Sequence, residues 1–289
     1  MVQRSAVFAA VLIVSTLLAC KALEQNQSAP QGSAVGAAPE ATGNDVTFKR
    51  MVPKSGTKGT VNRKTSSKFT LDGKVLRETS VLDAAMEVKF SDEFRITKAS
   101  IDVKEFYTTS QEGSGSEKKS VSPLSGSTYM VTRYDDGSLG AQDASGNKVA
   151  SSTLKLIKDE FGSSFEKSQD AAFLPDRPVK LQEKLVPASD SMIAMLGLKD
   201  DGNTLIDGTE FFLKSAAGSR ATFDASMTMT QKISSNMRVR AKLKGTIEMR
   251  PEGAWIIGVD LKGPLTLLDG SGNEKGTGDV AITATQTFD

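Results

Sequence analysis

The stretch "MRVRAKLKGTIEM", residues 237–249, decides the fold class. Met237, Val239, Ala241, Leu243, Ile247 and Met249 alternate with Arg238, Arg240, Lys242, Lys244 and Glu248. Successive side chains of a strand point to opposite faces, so this run predicts a strand with one buried and one wet face. The same period returns in Leu82, Ala84, Met86, Val88 and Phe90, in Ala221, Phe223, Ala225, Met227 and Met229, and in Val280, Ile282, Ala284 and Phe288. One wet face per strand predicts an antiparallel sheet, because parallel sheets are covered on both sides.

The punctuation between these runs agrees. Asp72-Gly73, Asp136-Gly137 and Asp269-Gly270 are hairpin signals. "DASGNK" at 143–148 and "DGSGNE" at 269–274 read as two copies of one turn and suggest two similar halves, 46–149 and 199–289. Residues 110–127, "SQEGSGSEKKSVSPLSGS", read as a polar loop and a disordered insertion. Between the halves the period changes. Leu154, Ile157, Phe161 and Phe165 have helical spacing, with Ser151, Ser152 or Thr153 as N-cap. A second short helix is predicted from Ser189 to Leu196, stopped by Gly197. The expected architecture is mainly β (α+β), a long curved antiparallel sheet or half-barrel covered by one or two helices. It occupies residues 46–289, with the helical insertion at about 150–198.

The amino terminus has a different character. After Met-Val-Gln-Arg comes an apolar run from Ala6 to Ala19, broken only by Ser15 and Thr16. That is the form of a signal peptide over residues 1–19. Fourteen helical residues span about 21 Å, short of the roughly 30 Å hydrocarbon core of a bilayer. Cys20 is the single cysteine of a chain without histidine. A lone thiol has four readings: nucleophile, half of an intermolecular disulfide, small buried hydrophobe, or attachment point.

Leu17-Leu18-Ala19-Cys20 resembles the lipobox of bacterial lipoproteins. The resemblance implies cleavage between Ala19 and Cys20, acylation of Cys20 with palmitate-like chains, and a membrane anchor. Lys21, in the place where Asp retains such proteins at the inner membrane, implies the outer membrane of a bacterial cell envelope. Two or more acyl chains give stable anchoring. Residues 20–45 then form a disordered tether, because "KALEQNQSAPQGSAVGAAPEATGND" has no aromatic residue and few large aliphatics.

Composition excludes some functions. Of the 36 Lys and Arg residues only Arg4 lies in the first nineteen, which leaves 35 positive against 35 negative charges. Nucleic acid is not the expected partner, since phosphate binding needs a basic excess. Without histidine, and with Cys20 acylated, no catalytic residue, metal site or cofactor is expected.

Four Ser-x-x-Lys tetrads occur: Ser55/Lys58, Ser116/Lys119, Ser152/Lys155 and Ser164/Lys167. Only Ser152 falls near a predicted helix start, as an activated serine requires. "GSGNEKG" at 270–276 resembles a phosphate loop but is followed by a strand, which offers no helix dipole. "DDGNTLID" at 200–207 offers Asp201, Asn203 and Asp207 as calcium oxygens, yet Leu205 stands in a ligand position. The row Arg238, Arg240, Lys242 and Lys244 reads as a solvated outer face or as a contact for an anionic surface. Trp255 is expected to pack on a sheet face.

Met86, Met227, Met229, Met237 and Met249 fall on the apolar phase of their strands, and Met192 and Met195 on the second helix. Methionine is flexible and polarisable, so these seven residues either line a lipid or other hydrophobic ligand or fill gaps in an ordinary core. The anchor and the order of elements together resemble the periplasmic lipoprotein carriers and related lipid-binding half-barrel lipoproteins. "FLPDRPVKL" at 173–181 resembles a segment of uncharacterised secreted bacterial lipoproteins. These resemblances imply a non-enzymatic envelope protein that binds a hydrophobic ligand or an envelope protein partner. The alternative is a structural or assembly lipoprotein with a solid core that works through its surface.

Overall fold

The computed structural model describes residues 45–50, 54–71, 73–92, 95–166, 173–195 and 203–288, with backbone only at Arg50, Ala194, Met195 and Phe288. The expected signal peptide, Ala19, Cys20 and nearly all of the tether lie outside these residues, as do Asp72, Lys167, Leu196, Gly197 and Asp201.

The first half of the chain supplies β1 (Asp45–Val46), β2 (Lys49–Arg50), β3 (Lys58–Leu71), β4 (Lys74–Ser91), β5 (Ile96–Glu112), β6 (Lys118–Val121), β7 (Ser127–Arg133) and β8 (Leu139–Asp143). Helix α1 (Ser151–Phe161) follows and tightens into a 3₁₀ turn at Gly162–Phe165. After β9 (Val179–Lys180), β10 (Lys184–Leu185) and helix α2 (Ser189–Met195), the chain returns to strands. These are β11 (Thr204–Ala217), β12 (Arg220–Ser234), β13 (Met237–Arg250), β14 (Glu252–Gly253), β15 (Trp255–Asp269) and β16 (Glu274–Phe288).

Twelve of these strands make one antiparallel sheet, in the order β10-β11-β12-β13-β15-β16-β3-β4-β5-β7-β8, with β6 also on β5. Nearly every neighbour in this order is a neighbour in sequence. Two neighbours, β13–β15 and β5–β7, skip one short strand each, and the long-range exception is the seam where β16 lies beside β3, from Gly276 opposite Leu71 to Phe288 opposite Gly59. Among the described residues β10 and β8 end the order without pairing to each other, so the sheet is open rather than a closed barrel.

Alternation puts one side of the sheet inside. Two apolar clusters cover that inner face. One joins Phe211, Leu213, Phe223, Leu243, Leu261 and Ile282 to Met192 and Ile193 of α2. The other joins Leu82, Val88, Ile101 and Val131 to Ile157 and Phe161 of α1 and Phe165 of the 3₁₀ turn. The helical spacing read from Leu154, Ile157, Phe161 and Phe165 is thus the seam by which α1 grips the sheet.

Four expectations need correction. The N-cap of α1 is Ala150, with no side-chain cap; Ser151, Ser152 and Thr153 already lie within the first turn. Phe90 is exposed, because register shifts after Val88 break the alternation of β4. Residues 110–127 are not a disordered insertion. Gly113 turns the chain at φ 60° and β6 pairs back onto β5, so backbone bonding orders a segment too polar to form a core. Met237 is only half-buried, at the rim of the first cluster.

The middle of β15 departs from regular strand geometry at Gly263-Pro264. Pairing with β13 skips Lys242 and Leu243 there and resumes in the same register. A Cβ on Gly263 would lie 1.8 Å from the Lys242 carbonyl oxygen, and one on Gly245 1.9 Å from that of Asp260. Glycine at these places admits an approach of backbones that other residues forbid.

Candidate functional site

The methionines do not form one lining. Met192, Met227, Met229 and Met249 are buried in the first cluster with Met237 at its rim, whereas Met86 belongs to the second. The Met195 side chain lies outside the described residues.

What separates the two clusters is polar. On β3 the inward positions read Val61, Arg63, Thr65, Ser67 and Phe69, with Val61 in one cluster and Phe69 in the other. On β4 they read Leu76, Glu78, Ser80 and Leu82, again passing from one cluster to the other. Register matches the two rows: Arg63 faces Leu82, Thr65 faces Ser80, and Ser67 faces Glu78. Thr108 and Ser110 of β5 extend the rows opposite Ser80 and Glu78. The result is a belt of hydroxyl and charged groups across three central strands, about 13 Å long between Arg63 and Ser67 at roughly 3.3 Å per residue.

This belt is buried. Arg63 and Thr65 are each 2% exposed and Glu78 8%. Arg63 Nη2 donates to Glu160 Oε1 of α1 at 2.6 Å, an ion pair closed off from solvent on both sides. Burial pushes the Glu160 carboxyl above its ordinary value, against the pull of Arg63. Yet Arg63 Nε and Nη1, Thr65 Oγ1 and Glu78 Oε2 have no hydrogen-bond partner within the protein. Burial alone raises the Glu78 carboxyl from 4.5 to about 7. Buried polar atoms are nearly always satisfied, and four of the eleven unsatisfied buried side-chain atoms among the described residues fall in this one belt, which makes it the candidate site.

No motif search finds this belt, since its residues are common and dispersed. One signal was present. Stepping back by two from Leu82 through the apolar phase of β4 gives Ser80, Glu78 and Leu76, a carboxylate in a core position. In β3 the signal is hidden, because Asn62, Lys64, Ser66 and Lys68 make the outward phase polar as well.

The other sequence candidates are scattered. Ser152 is exposed on α1, and Lys155 pairs with Asp159 rather than with the serine. "GSGNEKG" is the hairpin turn between β15 and β16. In "DDGNTLID", Asn203 and Asp207 are exposed at the start of β11 and Leu205 points outward, 54% exposed. Among the described residues no group of three or more carboxylate, cysteine or histidine side chains is arranged to hold a metal. Arg238, Arg240, Lys242 and Lys244 are exposed along β13. Trp255 is buried against Gly253. In "FLPDRPVKL", Phe173 stacks on Phe211 at 4.5 Å, Val179 is buried, and Leu174 to Pro178 border a surface cavity of about 320 Å³ with Thr47 and Phe48.

No family model matches the chain, and no curated protein matches it. Among solved structures it is similar to lipovitellin, described under "Lipid-protein interactions in lipovitellin", at 9% identity and a TM-score of 0.38. That match covers 81% of this chain and 25% of the other, so the chain spans a quarter of the lipovitellin length. It is similar to DynF from the dynemicin biosynthesis pathway of Micromonospora chersina, at 7% identity and a TM-score of 0.23, over 92% of this chain and 94% of that one. A DUF1329 family protein from Desulfovibrio piger matches at 9% identity and a TM-score of 0.19, over 82% of this chain and 87% of that one.

Proposed function

We propose that this chain is a non-enzymatic lipoprotein of the bacterial outer membrane. It hangs from the bilayer by an acylated Cys20 and the tether 20–45, and it holds an amphiphilic ligand against the inner face of a curved, half-barrel-like sheet. The observation that carries the ligand is the belt. An interior built for stability alone has no use for an unpaired carboxylate and an under-bonded guanidinium between two greasy clusters. An amphiphile would cover apolar surface with its tails and satisfy the orphaned atoms with its head. The lipobox-like Leu17-Leu18-Ala19-Cys20 supports the anchor, and the close backbone approaches at Gly245 and Gly263 support curvature.

The test joins fractionation to mass. Wild-type protein should sediment with envelopes, carry added fatty chains on residue 20, and bring lipid with it in native mass spectrometry. Cys20→Ser should become soluble. A Cys20→Ser protein that still sediments, or an unmodified mature mass, overturns the anchor. The second reading, a solid-cored assembly protein acting through its surface, is favoured by the near-complete burial of both clusters. It prevails if no lipid accompanies the wild-type protein.

A further inference from the structure

The belt also restricts the chemistry of the ligand's head, an inference that rests on the amphiphile reading above. Arg63 and Glu160 neutralise each other, so the ion pair presents no net charge. Its remaining capacity is directional: the Nε and Nη1 donors of Arg63 call for oxygen acceptors. A carboxylate or phosphate there would add an unbalanced charge beside Glu160 in a dry interior, at a desolvation cost the pair cannot offset. At the other end of the belt Glu78 lacks a cationic partner and faces Ser67 and Ser110 across the strands. The group that suits it is a hydroxyl, which donates to an ionised carboxylate and accepts from a protonated one. Thr65, between the two ends, has a free hydroxyl of its own.

We infer that Arg63, Thr65 and Glu78 seat the uncharged, oxygen-bearing head of an acylglycerol-type lipid, ester carbonyls toward Arg63 and Thr65 and a free hydroxyl toward Glu78, with acyl tails over the flanking clusters. Val61 and Leu82 begin one apolar flank, Phe69 and Leu76 the other. A fatty acid anion or a bare hydrocarbon fits this seat less well. The first brings an unwanted charge, and the second leaves every orphaned atom as it was.

Competition native mass spectrometry tests the assignment. The full chain, delipidated and held in amphipol, is offered 1-oleoylglycerol, oleate and 1-octadecene together. The acylglycerol complex should exceed the other two by about tenfold. Thr65→Val and Glu78→Leu keep side-chain volume and should each lower acylglycerol binding by roughly fivefold, the worth of one neutral hydrogen bond. Circular dichroism and thermal melts of each variant should match wild type, which reports that it is folded. Equal binding of all three probes, preference for oleate, or indifference of the acylglycerol to both variants overturns the head-seat while leaving amphiphile binding intact. Failure of wild-type protein to bind any probe overturns both.

Discussion

Arg63 and Glu160 meet at 2.6 Å in the interior, although 97 residues separate them in sequence. The contact ties α1 to the seam strand β3 and sets charge at one end of the polar belt that separates the two apolar clusters. Its partners differ in how they tolerate separation. Glu160 can take up a proton when left alone, and burial already pushes it that way. Arginine cannot shed one. Glu160→Gln should therefore cost about 3–5 kcal/mol at any pH from 5 to 8. Arg63→Met should cost less at pH 5 than at pH 8, because burial favours the protonated form of Glu160 and the lower pH supplies the proton more readily. Denaturant unfolding of the two variants across that range measures the difference; identical pH profiles contradict the argument.

Glu78 titrates near 7 rather than 4.5, so the folded protein holds this proton more tightly than the unfolded chain does. Stability must then fall as pH climbs through that interval and level off above it. Between pH 5.5 and 8 the loss from this group is about 2 kcal/mol. Glu78→Gln should remove that slope and make the protein more stable than wild type at pH 8. Urea melts of both proteins at the two pH values provide the comparison, and parallel changes would refute it.

Gly263 is the steepest test of backbone geometry. A methyl group there would fall 1.8 Å from the Lys242 carbonyl oxygen, so β13 and β15 would have to part. Gly263→Ala should lower stability by about 3 kcal/mol, at the upper end of overpacking costs. An unaltered melting temperature would show that the strands yield freely at this point.

The turns at Asp143 and Asp269 offer a matched pair. In each, one aspartate oxygen accepts the backbone N–H of the residues two and four places on, at 2.9 Å. Gly146 and Gly272 occupy the same left-handed position, φ 85° and 84°, and a Cβ on either would meet nothing within 4 Å. Gly146→Ala and Gly272→Ala should therefore carry the same purely conformational penalty, about 1 kcal/mol each. Thermal unfolding of the two variants should coincide, and a large gap between them would mean that the turns differ in context.

Much of this protein is legible from its residues one strand at a time. Period two in 237–249 and its echoes gave the long strands, and hydrophobic spacing after residue 150 gave α1, because both patterns report which side of a local element meets water. The same logic failed at Phe90, where register shifts between β4 and β5 that no local pattern announces break the alternation. It failed again at 110–127, where pairing with a neighbouring strand, not composition, decided order.

The sequence by itself determined a mainly β chain with one wet and one dry face per strand. Only the tertiary structure decided which strands lie side by side. By pairing β3 with β4 and packing α1 over Arg63, it gathered Arg63, Thr65, Glu78 and Glu160 into one buried belt. The physical reason is that periodicity encodes burial, a property of single positions, whereas a belt is a relation among strands and a helix that only long-range pairing and packing can bring together.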